Sequence, residues 1–113
     1  MHEMALVSAT LKILHAKMAE FNVKKVVQVT MTIGTMTNVE EMTFKAAFEV
    51  CTEGTALEGV RLVIERVPIR GKCAQCELEF TVMNYRFQCP QCAQRNVEII
   101  AGKEFYIKSI EAE

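Results

Sequence analysis

Residues 73–92 read CAQCELEFTVMNYRFQCPQC, and their four cysteines form two CxxC pairs separated by twelve residues. Each pair can direct two thiolates at one metal ion, and the segment between the pairs is long enough for a hairpin that brings them together. Four thiolates in a closed tetrahedral shell are the ligand set that structural zinc prefers. The sequence therefore predicts a zinc site whose ligands are Cys73, Cys76, Cys89 and Cys92.

The segment around these pairs is too small to fold by burial alone. About 30 residues cannot remove enough apolar surface from water to offset the chain entropy. Structural zinc contributes roughly 10–16 kcal/mol of apparent binding free energy, which makes up the difference. A shell of four thiolates also leaves no open position for water or a substrate, so we expect a structural role for this metal rather than a catalytic one.

Two other interpretations of the four cysteines remain open. Rubredoxin-like iron also takes two CxxC pairs, although rubredoxin-type pairs usually place glycine after the second cysteine, where this chain has Glu77 and Ala93. A dithiol redox switch is compatible with any cluster of zinc thiolates, and no residue here selects it. The fifth cysteine, Cys51, lies on the apolar face of a predicted helix, and we interpret it as a small hydrophobic residue.

Outside this segment, the chain shows both helical and strand periodicity. The apolar face of the first helix runs from Val7 to Phe21, at steps of three and four residues. In the first strand, apolar residues from Val27 to Ile33 alternate with polar ones, as in a half-buried strand. These patterns predict helices over residues 4–21 and 40–53, and strands over residues 25–34, 60–67 and 104–111.

Several residues are suited to the ends of the predicted helices. Asn22 can end the first helix, and Gly54 can end the second. Asn38 is the expected N-cap of the second helix. Glu40 and Glu41 fall in its first turn, where the helix dipole favours acidic side chains.

This order of elements predicts an α+β fold with a small mixed sheet of about three strands and two helices, plus an inserted zinc-ribbon-like domain with four cysteines. The last strand is too short and too apolar to stand alone, so we expect it to return to the first sheet. The predicted domains are residues 1–68, with 101–113 returning as the last strand, and an inserted zinc-binding domain at residues 69–100.

Composition and charge exclude several classes of protein. The 113 residues carry a net charge of -1, so no general positive field attracts nucleic acid or an anionic membrane. No apolar run approaches the roughly 20 residues that span a bilayer, and the chain does not open like a signal peptide. We expect a cytoplasmic protein, whose cysteines are kept reduced and serve as metal ligands or free thiols.

The start of the chain, Met1-His2-Glu3, places four nitrogen donors close together: the terminal amine, the backbone nitrogens of His2 and Glu3, and the His2 imidazole. Nickel(II) accepts a square-planar nitrogen shell and can displace amide protons. Because His2 is bulky, we expect Met1 to be retained. A terminal histidine taken alone is more often simply solvated, and His15 is expected to be an ordinary surface residue.

Over essentially its whole length, the chain resembles the HypA family of hydrogenase and urease maturation proteins. The resemblance rests on the Met1-His2-Glu3 start and its helix, the Ile33-Gly34 strand end, the Phe44–Glu49 helix, the strand containing Glu65 and the two CxxC pairs.

This resemblance implies a nickel chaperone that binds Ni(II) through Met1, His2 and Glu3 as transferred cargo and Zn(II) through the four cysteines. Glu40 matches a position that is often acidic in the family and lies near the nickel site, so it is carried over as a further candidate ligand. The implied partners are a HypB-type GTPase and the precursor of the hydrogenase large subunit, and in some bacteria family members also serve urease with its accessory proteins. Nucleic acid and membranes are not expected as partners.

One family feature is missing from this chain. Some members have a histidine beside a cysteine pair as an alternative zinc ligand, whereas the histidines here are His2 and His15. An exchange of cysteine for histidine at zinc is therefore not carried over.

A zinc-ribbon module that binds nucleic acid or another protein is the alternative function. Residues 70–98 contain four basic and three acidic residues, which is a small excess for phosphate binding. The sequence contains no pairing of a nucleophile with a base and no glycine loop for phosphate, so we do not expect an enzyme.

Overall fold

The computed structural model describes residues 2–113, and only the backbone of His2. These residues form two helices and six strands, with a short 3₁₀ turn at Thr35–Thr37. In chain order they are α1 His2–Glu20, β1 Val26–Gly34, α2 Glu41–Thr52, β2 Arg61–Val67, β3 Arg70–Cys73, β4 Glu79–Thr81, β5 Val97–Ala101 and β6 Phe105–Ala112.

The strands form two three-stranded sheets, one ordered β2-β1-β6 and the other β4-β3-β5. Along β6, the Gly34 N–H donates to the Glu104 carbonyl at 2.7 Å, and the Glu113 N–H donates to the Lys25 carbonyl at 3.1 Å. Residues early in one segment therefore meet residues late in the other, so β6 runs antiparallel to β1. The predicted fold class, two helices with a small sheet and a separate four-cysteine sheet, is confirmed.

The chain divides into two compact units. Unit 1 contains the residues up to Met31 together with 39–65 and 106–113, and unit 2 contains residues 32–38 and 66–105. The domain boundaries expected after residues 68 and 100 stay a prediction.

Unit 1 is held together by a core between its helices and the first sheet. The buried apolar side chains of this unit come from every helix and from β1, and each contributes roughly 1.5–3 kcal/mol on burial. They include Val7, Leu14 and Met18 from α1, Val29 and Met31 from β1, Phe44 and Phe48 from α2, and Leu57.

The end of α1 follows the prediction for Asn22 but not that for Phe21. Asn22 is left-handed at φ 52°, and the Val23 N–H closes back on the Met18 carbonyl at 2.8 Å, as in a Schellman motif. The helix ends at Glu20, so Phe21 lies in the turn and is 66% exposed. The prediction that Phe21 belongs to the apolar face of the helix is therefore wrong.

The start of α2 corrects another prediction. Asn38 is not the N-cap: it adopts φ 62° and closes the 3₁₀ turn by donating its N–H to the Thr35 carbonyl. Glu40 is the N-cap instead, and its carboxylate accepts the N–H groups of Met42 and Thr43. The glutamate side chain is long enough to reach both groups, although shorter side chains are commoner at this position.

Strand β1 is more buried than the alternating pattern predicts. In this central strand the polar residues Thr30 and Thr32 are buried as well as Val29 and Met31, so side chains on both faces of β1 are covered. Near the start of the strand, Val27 is 47% exposed, so the prediction that it faces the core is wrong. The stop predicted at Gly54 is confirmed, since α2 ends at Thr52 and Gly54 has φ 74°.

In unit 2, the end of β1 passes very close to the turn before β6. A Cβ atom built on Gly34 overlaps the carbonyl of Gly102 and lies 2.7 Å from Glu104 Oε1. Gly34 itself has an ordinary φ of -81°, so space rather than backbone conformation demands glycine here.

We predict that Gly34→Ala lowers the free energy of unfolding by about 3 kcal/mol, because the Gly102 backbone has to move. Gly59→Ala is the control: no atom lies within 4 Å of its Cβ position, and only its φ of 79° adds strain, about 1 kcal/mol. Urea unfolding followed by circular dichroism measures both. Equal losses in the two variants would contradict the close approach.

Candidate metal centre

The structure brings the four cysteines of the CxxC pairs together within unit 2. Cys73 ends β3, Cys76 follows in the next turn, and Cys89 and Cys92 lie in the segment before β5. Their four Sγ atoms all lie within 4.8 Å of one another. Cys51 is half-buried on α2 and is not a member of this group.

The scaffold for this cluster is the sheet β4-β3-β5 and the apolar side chains around it. Strand β3 pairs antiparallel with β4 on one side and β5 on the other, with Gly71 opposite both Phe80 and Ile99. A Cβ on Gly71 would lie 2.5 Å from a Val97 methyl group, so the side chains of the neighbouring strands close over it. The buried core of this region consists of Ile69, Phe80 and Val82 together with Cys73 and Cys89.

Both cysteine pairs fold into the same tight turn. The Glu77 N–H donates to the Cys73 carbonyl and the Ala93 N–H donates to the Cys89 carbonyl, each at 2.9 Å. Glu77 and Ala93 have φ angles of 63° and 64°. This left-handed conformation explains why glycine is common after the second cysteine of such pairs, and a residue with a Cβ pays a steric cost for it.

Backbone N–H groups lower the pKa of the first cysteine in each pair. Gln75 and Cys76 direct their N–H groups at Cys73 Sγ, at 3.4 and 3.5 Å. The pKa of Cys73 falls to about 6, chiefly through the Cys76 N–H. At Cys89 burial acts to raise the pKa, but the N–H groups of Cys92 and Gln91 outweigh it and the pKa is lowered.

The second cysteine of each pair behaves in the opposite way. At Cys92 the Gln94 N–H opposes the shift, but burial and the three neighbouring sulfur atoms raise the pKa to about 12. At Cys76 the Leu78 N–H is likewise outweighed by burial and by Cys89, and the pKa is raised. Four thiol groups so close together cannot all lose their protons without a nearby cation, because the thiolate charges repel one another.

A divalent metal supplies that cation and displaces the remaining thiol protons. A tetrahedral shell with metal–sulfur distances of about 2.3 Å requires sulfur atoms about 3.8 Å apart. The cross-pair distances are close to this value, at 3.4 Å between Cys73 and Cys92 and 3.5 Å between Cys76 and Cys89. The arrangement and its soft sulfur donors therefore fit a closed tetrahedral metal site.

The candidate nickel site at the start of the chain lies partly outside the described residues. This applies to Met1 and to the side chain of His2. Glu3 is half-buried in the first turn of α1, and its Oε2 accepts the backbone N–H of Glu40 at 3.2 Å. The fold thus brings Glu3 to the N-terminus of α2, beside the other predicted acidic ligand.

The carboxylate of Glu40 is already engaged in capping α2. It accepts the N–H groups of Thr43 at 2.9 Å and Met42 at 3.3 Å, and the Thr43 hydroxyl donates to it at 2.7 Å. Sequence reasoning assigned Glu40 to the first turn and missed both this cap and the contact with Glu3. The pattern Glu40-x-x-Thr43 reverses the usual capping box, in which the hydroxyl residue comes first.

Two further observations concern the helices. His15 is exposed on α1, as predicted. Neither helix in the described part of the chain is both long and apolar enough to cross a membrane.

Comparison with known proteins gives a match over nearly the whole chain. Residues 1–112 match the family model described as "Hydrogenase/urease nickel incorporation, metallochaperone, hypA". Similar proteins named "Hydrogenase maturation factor HypA" include that of Desulfitobacterium hafniense, 38% identical over 113 residues, and that of Caldanaerobacter subterraneus, 40% identical over 114 residues. The alignments cover 100% of this chain in both cases, and 99% and 100% of the two relatives.

Two solved structures share the fold. One is titled the solution structure of the Ni metallochaperone HypA from Helicobacter pylori, with a TM-score of 0.70, 24% identity, and coverage of 99% of this chain and 97% of the other. A second, titled the solution structure of HypA protein, has a TM-score of 0.74, 25% identity, and coverage of 100% and 97%.

The left-handed turn at Ala93 leads to a prediction about stability. Ala93→Gly should raise the free energy of unfolding of the metal-loaded protein by about 1 kcal/mol, because glycine adopts this φ without strain. Thermal unfolding followed by circular dichroism measures the change.

The matched control is Ala46→Gly, an exposed position inside α2, which should lose about 1 kcal/mol because glycine is a poor helix former. Destabilisation by both substitutions would show that the turn at Ala93 is not strained.

Proposed function

Because the chain belongs to the HypA family of hydrogenase maturation factors and nickel metallochaperones, we propose that it carries nickel(II) at Met1, His2 and Glu3 and holds structural zinc(II) at its four clustered cysteines. It delivers the nickel to the precursor of a hydrogenase large subunit, together with a HypB-type GTPase. Urease, reached through its accessory proteins, is the second client of this proposal, and the description of the family model, which names urease, supports it.

The observation that carries the zinc assignment is the convergence of four sulfur atoms within 4.8 Å. Zinc tolerates any tetrahedral shell of thiolates and undergoes no redox change, which suits a permanent structural ion. Cys73, Cys76, Cys89 and Cys92 would hold it, and its binding energy would stabilise the short strands of unit 2. The closed shell leaves no open coordination position for nickel or a substrate at this ion.

Nickel requires a different kind of site, because a transferable ion has to enter and leave. Helix α1 begins at His2, and the first four N–H groups of an α-helix have no partner within the helix. Nickel can therefore displace the amide protons of His2 and Glu3 without breaking a helical hydrogen bond. Together with the terminal amine and the imidazole, these nitrogens complete the square plane that Ni(II) accepts.

The contact between Glu3 and α2 supports this placement. The hydrogen bond from the Glu40 N–H to Glu3 fixes the start of α1 against a neighbouring helix. A terminus that is anchored three residues into the chain loses less freedom when it closes around an ion, which favours binding.

His2→Ala should abolish tight nickel binding by the untagged protein, while zinc content and helical signal stay unchanged. His15→Ala is the matched control, since it removes the other histidine from the same helix at an exposed position. Isothermal titration measures nickel, and elemental analysis measures zinc. Wild-type nickel affinity in His2→Ala would remove the basis for the terminal site.

The same proposal requires a free amine. Residues added before Met1 convert the amine to an amide and should eliminate the d–d absorption band of the planar nickel site. An unchanged band in the extended protein would argue against ligation by the amine.

Glu40 is retained as an additional candidate ligand, although ligation would require its carboxylate to leave the N–H groups of α2. Glu40→Gln separates the two roles, because the amide oxygen can still accept a hydrogen bond but is a poor nickel ligand. If Glu40 ligates nickel, affinity should fall about tenfold or more. If it only caps α2, affinity should stay within about twofold of wild type, whereas Glu40→Ala should cost about 1 kcal/mol of stability.

A further inference from the structure

A groove of about 610 Å³ lies in unit 1, between the second half of α2 and the beginning of β2. We call it the α2 groove. Its apolar part is formed by the half-buried side chains of Val60 and Leu62 beside the buried Phe48, and its rim carries the carboxylates of Glu49, Glu53 and Glu58. None of the residues assigned to nickel or zinc contributes to it, so its role lies outside the proposed metal chemistry.

The charge of the α2 groove is strongly one-sided. Lys45 is the one basic residue among the side chains that line it, and its ammonium already pairs with Glu41 at 3.5 Å. The carboxylate of Glu58 accepts the Gly54 N–H at 2.7 Å. Glu49 and Glu53 are exposed, and neither takes part in a salt bridge within the described part of the chain.

The position of these two carboxylates is unfavourable for the free protein. Glu49 lies in the last turn of α2 and Glu53 is its C-cap, and this turn contains no basic residue. A helix C-terminus carries partial negative charge, so acidic side chains there are repelled where basic ones would be attracted. A local arrangement that opposes stability without a visible compensation is typical of a functional surface.

We propose that the α2 groove is the docking site for a basic amphipathic segment of a partner protein. Apolar side chains of that segment would pack on Val60 and Leu62, whose side chains are half-buried. Its lysine or arginine side chains would pair with Glu49 and Glu53 and at the same time neutralise the negative end of α2. An acidic rim around an apolar floor matches this chemistry and repels an acidic partner.

The test uses the full ¹⁵N-labelled chain, loaded with zinc and free of nickel, so that its outcome does not depend on the nickel proposal. The probe is a short synthetic peptide with lysine and leucine at helical spacing, and a second peptide replaces every lysine by glutamate. The basic peptide should shift the amide resonances of residues 45–62, and the acidic one should leave them unchanged.

Glu49→Gln together with Glu53→Gln should weaken binding of the basic peptide about tenfold. The matched control, Glu79→Gln together with Glu98→Gln, changes net charge equally at two exposed positions in unit 2 and should change affinity less than about twofold. Equal weakening in both variants would reduce the effect to general electrostatics and overturn the proposal.

A second measurement guards against misfolding. The variant with Glu49→Gln and Glu53→Gln, called the groove variant, loses two charges from the negative end of α2, so its Tm should rise by about 3 °C. The Tm of the control variant should not rise. The groove variant is thus expected to be more stable and yet to bind more weakly. Three results would each overturn the proposal: binding of the acidic peptide, peptide-induced shifts outside residues 45–62, or the same shifts with Mg²⁺ alone.

Discussion

Four thiol groups share a space in which every pair of sulfur atoms lies within 4.8 Å. Backbone N–H groups lower the pKa of Cys73 to about 6, while burial and the neighbouring sulfur atoms raise the pKa of Cys92 to about 12. The fold therefore concentrates sulfur donors that cannot all ionise until a cation arrives. The three short strands of unit 2, the longest of which has five residues, enclose a small apolar core, so a metal held by the four cysteines would stabilise them.

The nickel site proposed at the start of the chain has a different requirement. A permanent ion suits a buried cage, whereas an ion that is handed on suits a terminus with exposed donors. At the N-terminus of α2, Glu40 has two roles: its carboxylate caps the helix and its N–H donates to Glu3. One residue thus caps α2 and contacts Glu3 in the first turn of α1, which sequence patterns do not reveal.

Features set by local spacing were predictable. The two CxxC pairs predicted a converging cluster, and helical and strand periods located both helices and the strands of the first sheet to within one or two residues of the observed ends. Features set by tertiary context were not. Phe21 fits the helical period but falls in the closing turn, and Thr30 and Thr32 look solvent-facing but are buried, since both faces of β1 are covered. Asn38 has the better cap chemistry, yet the 3₁₀ turn uses it and leaves the cap to Glu40.

The strand order β2-β1-β6 has a consequence for synthesis of the protein. Strand β6 is made after every other element, so one edge of β1 stays unpaired on the ribosome while the helices and the cysteine segment are already complete. Unpaired strand edges recruit other chains. Interrupted translation or proteolytic loss of the residues after Glu104 would therefore yield fragments that aggregate, even with the four-cysteine segment complete.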